Sequence, residues 1–181
     1  EIRNANSAEI DGLELDLSWA ATYNLQLTGG FAWYDAKLTA NYCGWLRPDG
    51  SPETTCPNGT VDPNGDVVTG PQAASGTQLP ITPQFKGSVN ARYTWDMAGG
   101  EAYWQASLSH AGRRRVDLRE AETALLGYLD GYTLTDVSVG WRKDSWSIDL
   151  FLKNAFDERA EMSRFAQCAA LTCGNQPYTV V

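Results

Sequence analysis

The chain has 181 residues, 43% apolar and 20% charged, with 14 Lys and Arg against 22 Asp and Glu. This length suits one domain. The balance excludes wholesale disorder, and a net charge of −8 with no long basic run argues against nucleic acid as a partner. No run approaches the roughly 20 apolar residues of a membrane-spanning helix. Aromatics at 11%, with 7 Trp, and 17 Gly with 8 Pro point to β structure punctuated by turns.

Residue 1 is Glu, and no charged region followed by an apolar run opens the chain. The closing Pro-Tyr-Thr-Val-Val at 177–181 reads as a strand cut short, so the sequence is expected to be a piece of a longer chain. The first clear element is residues 12–19, where Leu13, Leu15, Leu17 and Trp19 alternate with Glu14, Asp16 and Ser18. Successive strand side chains point to opposite faces, so this is a strand between two different media. Residues 25–34 set Leu25, Leu27, Gly29, Phe31 and Trp33 against Gln26, Thr28, Gly30, Ala32 and Tyr34.

A long excursion follows, from 40 to 82. It holds Pro-Asp-Gly at 48–50 and Pro-Asn-Gly at 57–59 and 63–65, each a turn signal and together a weak internal repeat. Asp49, Asp62 and Asp66 lack the regular ligand spacing of a calcium loop, so no metal is expected. Cys43 and Cys56 share this loop, and Cys168 and Cys173 share the last one. Their spacing and the single His fail as a zinc site. Two local disulfides in an oxidising compartment are the simplest reading; pairing between the two loops is the alternative.

Residues 84–96 alternate most cleanly, with Phe85, Gly87, Val89, Ala91, Tyr93 and Trp95 on one parity and Lys86, Ser88, Asn90, Arg92 and Thr94 on the other. Residues 102–110 repeat the pattern. The stretch 111–131 then forms a second long loop. Its Arg113-Arg114-Arg115 reads either as a site for an anionic ligand or lipopolysaccharide phosphates, or as a solvated strand end. Residues 120–129 read as a short helix inside the loop or as an irregular fold over it. In residues 133–142, Val137, Val139 and Trp141 agree in parity but Leu134 does not. Either a β-bulge restores the phase or Leu134 points to the polar side. Residues 145–153 close the series with Trp146, Ile148, Leu150 and Leu152.

The connections alternate between short and long, which puts every short turn at one end and every long loop at the other. Outer-membrane barrels have this plan, with short periplasmic turns and long extracellular loops. Trp19, Trp95, Trp104, Trp141 and Trp146 lie near short turns, while Trp33, Phe85 and Tyr132 lie near long loops. This predicts two membrane-interface belts. Strands of about 10–11 residues, tilted roughly 40°, cover about 25–28 Å, close to the apolar band of such barrels. A mean hydropathy of −0.37 fits, because only alternate strand residues meet lipid. The predicted fold is all-β: an antiparallel up-and-down transmembrane β-barrel segment of about six strands. A soluble β-sandwich is the alternative.

No phosphate-cradling loop, nucleophile elbow or metalloprotease helix is present. His110 falls on the apolar parity, so no catalytic set assembles, and neither enzyme activity nor a cofactor is expected. Polar-face residues near the long-loop end, Tyr34, Lys86, Ser109 and Arg113, are the candidate solute contacts.

Three motifs carry a family resemblance. Asn-Ser-Ala-Glu-Ile-Asp-Gly-Leu-Glu-Leu-Asp-Leu at 6–17 resembles a Gly-x-Glu strand of TonB-dependent receptors. Leu79-Pro80-Ile81-Thr82-Pro83 before Phe85-Lys86 is similar to that family's Leu-Pro-x-x-Pro lead-in to a later strand. Leu-Phe-Leu-Lys-Asn-Ala-Phe-Asp-Glu-Arg at 150–159 looks like the Asn-Leu-Phe-Asp segment near that family's C-terminus, with Ala155 where Leu is usual.

The resemblance implies one partial barrel domain over 1–181, part of a barrel of about 22 strands in the bacterial cell outer membrane, among lipid and lipopolysaccharide. It also implies an N-terminal plug and a final strand that these residues do not supply. The implied activity is active uptake of a scarce, bulky solute such as an iron–siderophore complex, a corrinoid or an oligosaccharide, driven by the TonB complex acting through the missing N-terminal region. A passive porin or small barrel, a soluble binding module and an outer-membrane enzyme are the rival classes.

Overall fold

The computed structural model describes residues 7–166 and 179–180. Cys168 and Cys173 lie outside the described residues. In chain order the elements are β1 (Ala8–Ala20), β2 (Leu25–Leu38), β3 (Phe85–Met97), β4 (Gly100–Ala111), β5 (Arg114–Arg115), α1 (Glu120–Leu126), β6 (Tyr128–Leu129), β7 (Tyr132–Lys143), β8 (Trp146–Leu152), β9 (Phe165–Ala166) and β10 (Thr179–Val180). Strands β1, β2, β3, β4, β7 and β8 form one antiparallel six-stranded sheet in that order. Within this sheet each strand pairs with the next of the six along the chain, β4 pairing with β7, while β5 and β6 pair only with each other inside the second long loop.

Two of the three short connections are tight because their residues accept left-handed backbone. Ala98 (φ 53°) and Gly99 (φ 73°) make a two-residue turn between the paired Met97 and Gly100, the twist that a hairpin prefers. Asp144 (φ 49°) opens the turn between Lys143 and Trp146.

The pairing runs without a bulge, so each parity stays on one face across all six strands. One cross-sheet row joins Leu17, Gly29, Val89, Leu108 and Thr135; another joins Trp19, Leu27, Ala91, Ala106, Val137 and Leu152. These outward residues are not packed under a second layer: Leu13 is 71% exposed and Leu150 66%. A soluble sandwich would bury this face.

One open reading closes and one expectation needs correction. Leu134 pairs directly with Ser109, so it takes the polar side and no bulge intervenes. Tyr132 pairs with Ala111, itself the partner of Lys86, which puts the ring on the polar face and outside the outward aromatic set. Position near a loop does not fix a face; only register does, and β7 begins at Tyr132.

The buried clusters lie in the loops. Cys43, Cys56 and Val68, with Trp45 packed against them, form one. Cys43 and Cys56 are disulfide-bonded across a separation of 13 residues. The returning leg of this loop continues the β2 edge: Leu38 N–H donates to Thr77 O (2.9 Å) and Leu79 N–H to Ala36 O (2.9 Å). Val116, Leu126 and Leu129 form the second cluster, under α1. That helix carries Glu120 and Glu122 in its first turn, where the macrodipole favours acids, and ends at Gly127 (φ 74°).

Candidate functional site

The side chains on the polar face of the sheet, called the wall below, are organised by cross-strand contacts. Near the long-loop end, Tyr34 stands opposite Gly12. A Cβ at residue 12 would come 2.5 Å from Tyr34 Cδ1 and 2.7 Å from Trp33 O, so only glycine leaves room for the ring. Tyr34 donates its hydroxyl proton to the Glu14 carboxylate. Lys86 Nζ sits 5.2 Å from the centre of the same ring, within cation–π range.

The arrangement recurs near the short-turn end. Tyr103 stands opposite Gly140 and occupies the space a side chain there would need. It donates its hydroxyl proton to Asp149 Oδ1 (2.6 Å). Arg92 Cζ lies 3.7 Å from the ring centre, and Arg92 Nη1 donates to Gln105 Oε1 (2.9 Å). Between the two stations Asn90 Nδ2 donates to Ser107 Oγ (2.7 Å). An open concavity of about 430 Å³ on the upper wall is lined by Glu14, Asp16, Ala32, Lys86, Ser88 and Ala111, among others.

Tyr34 and Lys86 are therefore brought together, and Ser109 sits one row below Lys86, paired with Ser88. Arg113 is apart from them, exposed in the loop layer with its guanidinium 4.2 Å from the Tyr128 ring centre. Sequence reasoning missed the acids Glu14 and Asp149 and the whole Tyr103 station. Parity marked these residues as wall, but which ones touch depends on register.

The loops are tied into one layer. Glu120 N–H donates to Gln72 O (2.7 Å) and Ile81 N–H to Arg115 O (2.8 Å), joining the first loop to the second. Arg164 Nη1 donates to Leu126 O (2.6 Å) and Arg114 Nη2 to Glu161 O (2.5 Å), joining the second to the third.

The Arg113–Arg115 run is divided: Arg113 is exposed, while Arg114 and Arg115 are buried, because β5 pairs with β6 and α1 packs beside it. Arg115 Nη2 meets Glu120 Oε2 at 2.5 Å. Arg119 bridges Asp117 (3.0 Å) and Glu122 (3.2 Å). Burial by itself would raise the Asp117 pKa, but the Arg119 guanidinium outweighs it and holds the carboxyl below its usual range. In the first loop Arg47 grips Glu53 with two hydrogen bonds (3.0 and 2.8 Å). With the backbone N–H groups of Thr55 and Thr54 adding to this, Glu53 is pushed down to about 2.

Among the described residues no cluster of His, Cys, Asp and Glu could hold a metal ion. No helix is long and apolar enough to cross a membrane, which says nothing of strands. An antiparallel sheet with an open apolar face, a polar wall and all long loops at one end defines the class of β-barrel wall segments. Residues 1–155 match the family described as TonB dependent receptor-like, beta-barrel. The chain belongs to that family, whose barrels reside in the bacterial outer membrane and which is one of transporters and receptors, not of enzymes. No curated protein matches the chain.

Proposed function

We propose that this chain supplies six wall strands and three external loops of an energy-coupled outer-membrane receptor that imports a scarce, bulky solute such as an iron–siderophore complex. The observation that carries the reading is the unbroken division of two faces across all six strands, together with the family match. In this reading the outward row of Trp19, Trp95, Trp104, Trp141 and Trp146 meets one membrane interface and Trp33 and Phe85 meet the other. The rest of a roughly 22-stranded barrel closes on the free edges of β1 and β8.

A plug preceding this segment contacts the TonB complex and blocks the lumen at rest. Outer-membrane lipid and lipopolysaccharide cover the apolar face. Solute settles between the loop layer and the upper wall, where Tyr34, Lys86, Ser109 and Arg113 make contact.

The test is uptake of radiolabelled ferric chelates by cells expressing the full receptor. Uptake that collapses with an uncoupler, and falls for Lys86→Glu without loss of barrel from the membrane, supports active transport through this wall. Uptake indifferent to the uncoupler makes the barrel a passive pore.

A further inference from the structure

Arg114 carries the furthest inference. Its side chain is 4% exposed. Arg115, Arg119 and Arg164, the other loop arginines that are not fully exposed, each meet a carboxylate. Among the described residues Arg114 forms no ion pair. Nη2 donates to a neutral acceptor, Glu161 O, and the guanidinium stands 5.4 Å from the centre of the Tyr132 ring. Nη1 is buried with no hydrogen-bond partner. A buried guanidinium with an idle N–H and no counter-charge is costly, and its fork matches an oxyanion.

The position says where that oxyanion comes from. Tyr132 faces the inner wall in the row that holds Ala111 and Lys86. The Tyr132 backbone lies about 10 Å from that of Lys86 across two strand spacings, and the Arg114 guanidinium stands beside the Tyr132 ring. Arg114 and Lys86 are two cations at the long-loop end of the wall that meet aromatic rings and no carboxylate, and of the two only Arg114 is buried.

We propose that Arg114 is an oxyanion subsite: a carboxylate or phosphate group carried by the solute completes its guanidinium when the loops close. The proposal rests on the reading that this wall lines a solute path, and it names the chemistry the solute brings. The anion neutralises a charge that the loop layer otherwise buries bare, so its binding and loop ordering are linked.

The experiment is backbone hydrogen exchange over residues 113–129 in the full receptor in detergent, at constant ionic strength. Chloride is replaced by inorganic phosphate or by citrate. At about ten times its Kd the oxyanion slows exchange about tenfold. Arg114→Gln abolishes the slowing, Arg114→Lys weakens it, and Arg159→Gln, on the exposed third loop, keeps it. No slowing in the unsubstituted receptor overturns the proposal without recourse to any variant, and so does equal slowing in Arg114→Gln. Slowing by added lipopolysaccharide but by neither small anion assigns the contact to a lipid headgroup and also overturns it. Oxyanion protection that persists while uptake proves independent of energy removes the transport reading and leaves the subsite; active uptake without protection does the reverse.

Discussion

Replacing Gly140 by Ala isolates what glycine does on the inner wall. A Cβ at this position meets the Tyr103 ring and the Asp149 carboxylate well inside van der Waals contact. The ring must then leave its place, and the Tyr103–Asp149 hydrogen bond and the Arg92 contact go with it. Overpacking of this kind costs about 1–3 kcal/mol; a ring on an aqueous wall has room to swing away, which favours the lower half of that range. Against this, Ala is better than Gly inside a regular element by roughly 0.5–1 kcal/mol. The net expectation is a loss of about 1 kcal/mol with Tyr103 present. In a Tyr103→Ala background the ring is gone, the Asp149 carboxylate is freed from its tyrosine hydrogen bond and can turn aside, and the same substitution stabilises by roughly 0.5–1 kcal/mol. The assay is urea unfolding of the full receptor in lipid vesicles, followed by tryptophan fluorescence, for the four corners of the cycle. An equal effect of Gly140→Ala in both backgrounds refutes the reasoning, because the glycine would then serve backbone needs and not the tyrosine.

Three further outcomes follow from the geometry. Arginine at Ala106, on the outward face between Ala91 and Val137, costs about 2–4 kcal/mol near mid-membrane, while arginine at Ser107 on the inner wall costs little; similar costs in refolding titrations remove the lipid-facing assignment. Replacing Cys43 and Cys56 by Ser frees a loop closed at a separation of 13 residues and lowers its local stability by about 3 kcal/mol in the chain-entropy model; unchanged hydrogen exchange over residues 43–68 under reductant contradicts this. Glu53 titrates near 2 when folded against 4.5 ordinarily, so between those values the unfolded loop binds the extra proton. The stability from its Arg47 grip is then complete above pH 4.5 and lost as the pH falls toward 2; carbon-13 carboxyl shifts of Glu53 that titrate at the ordinary value disprove the grip in solution.

The strands and their two faces were legible because period-two alternation needs no long-range knowledge. Residues such as Phe85, Val89 and Trp95 declare a face by spacing alone. Cys43 and Cys56 were legible as a local pair for the same reason. What could not be read was anything set by register. Leu134 looked like an error of phase because every neighbouring apolar residue faces outward, and only its pairing with Ser109 makes it a wall residue. Tyr132 looked like a belt residue because aromatic rings gather at strand ends, yet one residue at the start of a strand carries no parity of its own. The arginine run left an anion site and a solvated strand end both open, because charge is usually exposed. The burial of Arg114 and Arg115 depends on β6 and α1, which meet them only after the loop folds.

The two tyrosine stations show how this wall places charge. A lysine or arginine on a hydrated surface is costly to hold in one geometry, since its long stem keeps many rotamers. Here the cation rests on a ring, and the ring rests in a notch where the opposite strand has no side chain. Lys86 and Arg92 lie on one strand, six residues and roughly 20 Å apart. Each ring comes from a neighbouring strand, Tyr34 on β2 or Tyr103 on β4, and each glycine from the strand beyond it, Gly12 on β1 or Gly140 on β7. The spacing of fixed positive charge along the wall is therefore written in where β1 and β7 omit a side chain. On that argument, moving the cation alone is not enough to relocate the charge. A lysine transferred to Asn90, two rows of the same face from Lys86 and one from Arg92, finds neither ring nor notch and stays mobile on the wall.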